Sequence, residues 1–308
     1  YHKEGDVYIH TQMVFEQLIN NKYFSLLNEE GKKILILSAI FHDVGKIFTT
    51  KEEDGKITSK FHAVKGFHFI NKYFYRNAKL LNVNFNERMK IAQLVRYHGY
   101  PLNFLEKENF EKYLFYLSQN INLNDLYLLS LSDVKGRVSK YKSNLYEKLK
   151  LFKEYCIEKN IFYNKKEFID DFTRFKYFTS ENYLPDYKIY DDTKFEVIIL
   201  SGLPGAGKDT YIKNNFKDIK VISLDEIRKL LKITPQKKQG EVINFAKDKA
   251  LEYMRKKETF IWNATNLTKS IRDKLVNLFM KYNAKVKIIY IETSYENLLK
   301  RNETREAK

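Results

Sequence analysis

Cysteine is almost absent from this 308-residue chain: Cys156 stands alone, so no internal disulfide can form. Small secreted scaffolds built on such bridges are thereby excluded, and a reducing cytoplasm is the expected compartment. Long apolar runs are missing too. No stretch approaches the roughly 20 residues needed to span a bilayer, so neither a helical membrane anchor nor a membrane partner is expected. The opening residues Tyr1-His2-Lys3-Glu4-Gly5-Asp6 are polar and lack the apolar segment of a secretory signal. Tyrosine rather than methionine comes first, so the natural start is expected upstream.

Hydrophobic residues make up 44% of the chain, enough for sizeable cores and too many for wholesale disorder. The length is comfortable for two domains. Lysine and arginine outnumber the acids, for a formal net charge of +16. Such an excess concentrates polyanions and speeds their capture, which makes nucleic acid the natural candidate partner. Heavy use of Lys and Asn along the whole chain makes part of this charge a matter of composition. The 23 tyrosines and 23 phenylalanines could stack bases or fill cores, and their number alone favours neither.

Two patterns divide the chain. Gly31 to His42 (GKKILILSAIFH), Asn86 to His98, Leu123 to Val134 and Leu145 to Ile161 have helical spacing, and no alternating strand pattern of any length precedes about residue 187. Residues 184–193 carry a proline and an acidic pair without a period, the best boundary. From Phe195 the order becomes strand, turn, helix, repeated. Strands are predicted over Phe195–Leu200, Val221–Ser223, Thr259–Trp262 and Lys285–Ile291, which argues a parallel α/β sheet. The expected organisation is an all-α domain over 1–180, a linker over 181–194 and an α/β domain over 195–308.

The α/β part carries Gly202-Leu203-Pro204-Gly205-Ala206-Gly207-Lys208-Asp209-Thr210 between a strand and a helix. That context separates a true phosphate loop from a chance glycine match. Backbone N–H groups around Gly202, Gly205 and Gly207 would face the phosphates of ATP, and Lys208 would neutralise the transferring group. Asp209 stands where a hydroxyl usually ligates Mg²⁺; a carboxylate is also a hard ligand for that ion, and Thr210 follows. Just past the second strand, Asp225 and Arg228 share one helix face. The carboxylate is placed to take a proton from an attacking hydroxyl, the guanidinium to grip a phosphate.

The helical part carries His10, His42-Asp43, His62, His98 and Asp133. Any one histidine on a helix is more often structural than a ligand, so the weight lies in the set. Imidazoles with carboxylates suit Mn²⁺, Fe, Co²⁺ or Ni²⁺, and Asp43 could bridge two ions. Lys46 and Arg137, the latter one turn after Asp133, would anchor a substrate phosphate. His2 and His68 receive no role.

The order His…His-Asp-x-Gly-Lys…His…His…Asp-x-x-x-Arg resembles the HD phosphohydrolase superfamily, whose domain is all-helical. Glu4 to Thr11 resembles the HD modules attached to tRNA nucleotidyltransferases. The resemblance implies one metal on His10, His42, Asp43 and Asp133 and a second on Asp43, His62 and His98; a single metal on the first four is the alternative. The Gly-Lys-Asp-Thr loop resembles those of some nucleotide and polynucleotide kinases. Asn263-Ala264-Thr265-Asn266 is similar to their Asp-x-Thr-Asn segment, with Asn263 at the acidic position. Arg301 and Arg305 resemble lid arginines that clamp ATP, and the chain stops at Lys308, inside the expected lid, as a fragment or an unusually short kinase end would.

Together the two parts resemble the bacterial HD-Pnk end-healing enzymes, over about residues 1–175 and 195–308. The resemblance implies an all-α HD domain followed by an α/β P-loop polynucleotide kinase. The first would remove 2′,3′-cyclic, 2′- or 3′-phosphates with one or two divalent transition metals. The second would phosphorylate 5′-hydroxyl ends with ATP and Mg²⁺, leaving RNA or DNA ends fit for a nucleic-acid ligase. An HD nucleotidase fused to a small-molecule nucleoside or nucleotide kinase is the competing reading. A nucleic-acid-binding or ATP-gated sensor module with degenerate sites is a third.

Overall fold

The computed structural model describes residues 6–138, 142–234 and 238–306, the side chains of Arg305 and Glu306 excepted. Glu4 and Gly5, and the side chain of Arg305, therefore lie outside the described part. The chain forms two compact units, Tyr1–Ile189 and Tyr190–Lys308.

The first unit is built mainly of helices around a large apolar core, with a smaller cluster of Leu102, Val134 and Leu149. Its helices start on local caps that the sequence supplies. Asp6 accepts from Ile9 N at 2.9 Å to open Val7–Ile19, and Asn28 accepts from Gly31 N at 2.8 Å to open Glu29–Phe41. Asn84 and Glu87 form a reciprocal capping box at the head of Phe85–Tyr97. Leu18, Leu35, Ile70, Phe74, Ile91 and Leu126 are buried in the shared core. Truncating a fully buried ring such as Phe74 to alanine would cost about 3–5 kcal/mol.

Close backbone approach then sets where helix ends meet. A Cβ at Gly136 would stand 2.8 Å from Val14 Cγ2 and 2.9 Å from Val14 N, so only glycine lets Leu123–Gly136 lie this tightly on Val7–Ile19. That contact brings His10 alongside Asp133.

One small sheet departs from the expected strand-free stretch. Lys51–Glu53 (β1) and Lys56–Thr58 (β2) form an antiparallel hairpin. Asp54 and Gly55 between them have φ of 52° and 68°, the positive values a two-residue Asp-Gly turn requires. Three-residue strands made largely of charged side chains give no apolar alternation, which is why periodicity misses them.

The second unit is a four-stranded parallel sheet in the order β4-β5-β3-β6, made by Phe195–Ser201 (β3), Lys220–Ser223 (β4), Phe260–Asn263 (β5) and Ala284–Tyr290 (β6). Each lies within a residue or two of its predicted span. Alternate side chains of β3 feed cores on opposite faces: Val197 and Ile199 pack with Met254 and Phe279, Ile198 and Leu200 with Tyr211 and Ile212. The register pairs Leu200 with Asn263 and Ser223 with Asn263, so three strands end at one edge, where the loop after β3 begins. Among the described residues no helix is long and apolar enough to cross a membrane.

Candidate metal centre and phosphate cleft

Three helices and the ends of two others deliver the six candidate ligands of the first unit to one point. His10 lies on Val7–Ile19, His42 and Asp43 just after Glu29–Phe41, His62 at the start of His62–Arg76, His98 just after Phe85–Tyr97, and Asp133 on Leu123–Gly136. All but His62 are buried. Their ligand atoms fall into two groups, His10–His42–Asp133 and Asp43–His62–His98.

Asp43 joins the groups with its two oxygens. Oδ2 lies 3.3 Å from His42 Nε2 and 3.9 Å from His10 Nε2, while Oδ1 lies 3.4 Å from His62 Nε2 and 3.9 Å from His98 Nε2. Asp133 Oδ1 completes the first group at 3.0 Å from His10 Nε2.

A local device orients three of the four imidazoles. His42 Nδ1 donates to Ala39 O at 2.8 Å, His62 Nδ1 to Ser59 O at 3.0 Å, and His98 Nδ1 to Val95 O at 2.8 Å. Each carbonyl sits three residues back along the chain. Donation from Nδ1 fixes the tautomer and leaves the Nε2 lone pair for the centre. His62 Nε2 and His98 Nε2 then face each other at 3.4 Å, and His42 Nε2 faces His10 Nε2 at the same distance. Two ligands about 2.1 Å from one tetrahedral ion lie about 3.4 Å apart, so the donor set fits a divalent cation in each group.

Charge is arranged to match. Burial and the charge of His42 push His98 down to about 4, and burial lowers His62 against the pull of Asp43, so both stay neutral near pH 7. Burial opposes the cationic form of His42 as well, but the charge and hydrogen bond of Asp43, with Asp133 behind, outweigh it and raise its pKa. Burial alone would raise the Asp133 carboxyl; the His10 hydrogen bond and the Arg137 charge hold it far below the ordinary carboxylate range instead. Lys46 Nζ lies 2.7 Å from Asp43 Oδ2, and Arg137 grips both oxygens of Asp133, through Nε at 3.0 Å and through a second contact from Nη2. Both expected phosphate anchors are thus tied to candidate ligand carboxylates.

The second unit holds a cleft of about 930 Å³ at the carboxyl edge of its sheet, lined by Lys208, Asp209, Thr210, Asp225, Arg228 and Asn263 among others. The loop after β3 turns through Gly205 and Gly207, with φ of 81° and 105°. Helix Lys208–Asn215 opens on Gly207 without a side-chain cap, which keeps its first N–H groups available to an anion. Lys208 Nζ folds back onto Gly202 O and Leu203 O, each at 3.0 Å. A Cβ on Gly202 would fall 2.5 Å from Ile291 O, so this glycine is needed for the loop to lie against the end of β6.

Around the loop the structure gathers Asp225, Arg228, Asn263 and Arg301 of the predicted residues, with partners the sequence does not mark. Arg228 Nη1 donates to Asp225 Oδ1 at 2.5 Å, and its Nε to Gln239 Oε1 at 2.9 Å; nothing in the sequence marked Gln239. Arg301 Nη1 lies over the loop, donating to Gly205 O at 3.2 Å and Ala206 O at 3.4 Å. Asn263 Nδ2 donates to Asp209 Oδ1 at 2.6 Å, a partnership the linear order hides.

An HD-domain family model matches residues 7–128, and an AAA-domain family model matches residues 197–308. The first match spans His10, His42, Asp43, His62 and His98 and ends before Asp133; the second spans the whole phosphate loop. The chain therefore carries a helical HD domain, a metal-dependent hydrolase type, followed by an α/β P-loop kinase-like domain. It combines the parts of a phosphohydrolase and of an ATP-using kinase.

Proposed function

We propose that the chain heals nucleic-acid ends: the HD domain removes 2′,3′-cyclic, 2′- or 3′-phosphates, and the P-loop domain moves the γ-phosphoryl of ATP to 5′-hydroxyl ends. The products, a 3′-hydroxyl and a 5′-phosphate, are what a nucleic-acid ligase consumes. The observation that carries the reading is the shared carboxylate of Asp43 between two imidazole groups, in the same chain as a phosphate loop faced by Asp225.

In the HD domain, His10, His42, Asp43 and Asp133 would hold one divalent ion and Asp43, His62 and His98 a second. Such ions, Mn²⁺, Co²⁺, Ni²⁺ or Fe, supply Lewis acidity toward a phosphoryl oxygen and make water nucleophilic at neutral pH. The residues of the chain do the rest. Asp43 keeps the two groups at a fixed separation. Lys46 and Arg137, held beside these carboxylates, would anchor the phosphate oxygens of the end being trimmed. His62, the least buried of the set, marks the side from which substrate enters.

In the kinase domain Asp225 orients the 5′-hydroxyl and takes its proton as the oxygen attacks. Arg228, braced by Asp225 and Gln239, stabilises charge on the phosphoryl group in transfer. Lys208 leaves its carbonyl partners for the phosphates when ATP binds, and Arg301 moves from the loop carbonyls onto the same charge. The net charge of +16 favours capture of a polyanionic substrate.

The test offers labelled ATP with an equimolar 5′-hydroxyl oligonucleotide and a free nucleoside. Label on the oligonucleotide supports end healing. Label on the nucleoside alone replaces it with a nucleotidase fused to a small-molecule kinase.

A further inference from the structure

An ordinary phosphate loop continues from its lysine into Ser or Thr, whose hydroxyl ligates Mg²⁺, while a strand-end Asp holds the same ion. Here both positions differ. Asp209 follows Lys208, and β5 ends in Asn263. The two residues meet, Asn263 Nδ2 donating to Asp209 Oδ1 at 2.6 Å.

That bond settles the orientation of the amide, because a carboxylate only accepts. Asn263 Oδ1 is then turned away from Asp209. It is buried and has no hydrogen-bond partner among the described residues. Asn263 as a whole is 5% exposed, yet it lines the cleft beside Lys208 and Thr210. A buried acceptor left unmatched is costly, so it is the bond to Asp209 that sets this orientation of the amide. Oδ2 of Asp209 likewise takes no hydrogen bond among the described residues, and Asp209 lines the same cleft.

The charge count explains why the two departures come together. A hydroxyl on the loop with a carboxylate on the strand carries one negative charge. A carboxylate on the loop with an amide on the strand carries one as well, moved across a 2.6 Å hydrogen bond. Either departure alone would change the total to two or to none.

We propose that Asp209 and Asn263 are an exchanged pair. Asp209 is the residue that orients the Mg²⁺ of MgATP, and Asn263 is the positioning residue that holds its carboxylate in place. The inference deepens the kinase reading and rests on it.

A double-mutant cycle on the full chain tests it. Binding of a non-hydrolysable ATP analogue, adenylyl imidodiphosphate, is measured by calorimetry with and without Mg²⁺ for the wild type, Asp209→Ser, Asn263→Asp and the double variant. Thermal melts and HD-site phosphatase activity establish that each variant is folded. Asn263→Asp places two carboxylates within contact and should weaken Mg²⁺-dependent binding at least about tenfold. Asp209→Ser removes the site's carboxylate and should do the same, while Mg²⁺-free binding holds or tightens because a negative charge has left the phosphates. The double variant should recover to within about threefold of wild type, since the charge is restored on the other side.

Additive losses in the double variant would overturn the exchanged pair, as would equal losses with and without Mg²⁺. A wild type that binds the analogue without any Mg²⁺ dependence would overturn the kinase reading and this inference with it.

Discussion

The ammonium of Lys46 lies 2.7 Å from Oδ2 of Asp43, the same oxygen that faces His42 and His10. A lysine so placed repels a cation on that oxygen while attracting a phosphate beside it. Lys46→Ala should therefore leave metal affinity equal or higher and still cut hydrolysis of a 3′-phosphate end about a hundredfold in kcat/KM. Metal titration and steady-state kinetics on one preparation separate the effects. Loss of bound metal in the variant would show that Lys46 serves only to shape the ligand set.

The two catalytic centres should be separable. Asp43→Ala should abolish phosphatase activity and lower bound metal from two ions per chain, with the kinase intact. Asp225→Ala should lower transfer to a 5′-hydroxyl by about 10²–10⁴-fold and leave the phosphatase alone. Elemental analysis with paired end-labelling assays reads both. A wild type that holds a single ion would favour a site on His10, His42, Asp43 and Asp133 alone, and loss of both activities from either substitution would contradict independent centres.

Gly45 supports the metal centre without touching it. A Cβ there would fall 1.8 Å from His62 O and 2.7 Å from Gly66 N, both backbone atoms that cannot step aside. Gly45→Ala should push the helix that begins at His62 away from Asp43, at a cost of about 1–3 kcal/mol or more. Lower melting temperature and loss of metal from the His62–His98 group are expected together. A variant that keeps its stability and both metals would contradict this packing.

Asp125 predicts a pH dependence far from the ligands. Burial, only partly offset by Lys90, raises its pKa from 3.8 to about 6. A carboxyl raised on folding favours the folded state while protonated. Its contribution is whole below roughly pH 4 and is lost as pH rises through about 6. Asp125→Asn should accordingly stabilise the protein by about 1–2 kcal/mol at pH 8 and hardly at all near pH 4. Denaturant melts at the two pH values check this, and equal shifts at both would contradict it.

How legible each feature is from sequence follows from the range of the interaction behind it. His42 and His98 end helices whose apolar spacing is plain, and each orients its ring on a carbonyl three residues back, so the local chemistry travels with the motif. The phosphate loop is equally self-contained. The pairing of β5 with β3 is a tertiary event, and it alone brings Asn263 to Asp209, 54 positions earlier in the chain. Gln239 reaches Arg228 only because helix Gln239–Arg255 packs on helix Leu224–Leu231. The hairpin at residues 51–58 escapes notice for the opposite reason: its Asp54-Gly55 turn is a strong local signal, but its strands bury too little to show a pattern.

The central claim is that one chain repairs both ends of a broken strand. It is tested most directly with a single oligonucleotide that bears a 5′-hydroxyl and a 2′,3′-cyclic phosphate, incubated with the protein, γ-labelled ATP, Mg²⁺ and Mn²⁺. The account predicts one product carrying a labelled 5′-phosphate and a 3′- or 2′-end stripped of phosphate. An oligonucleotide that emerges with both ends unchanged, while free nucleotides in the same tube are phosphorylated or dephosphorylated, would contradict it.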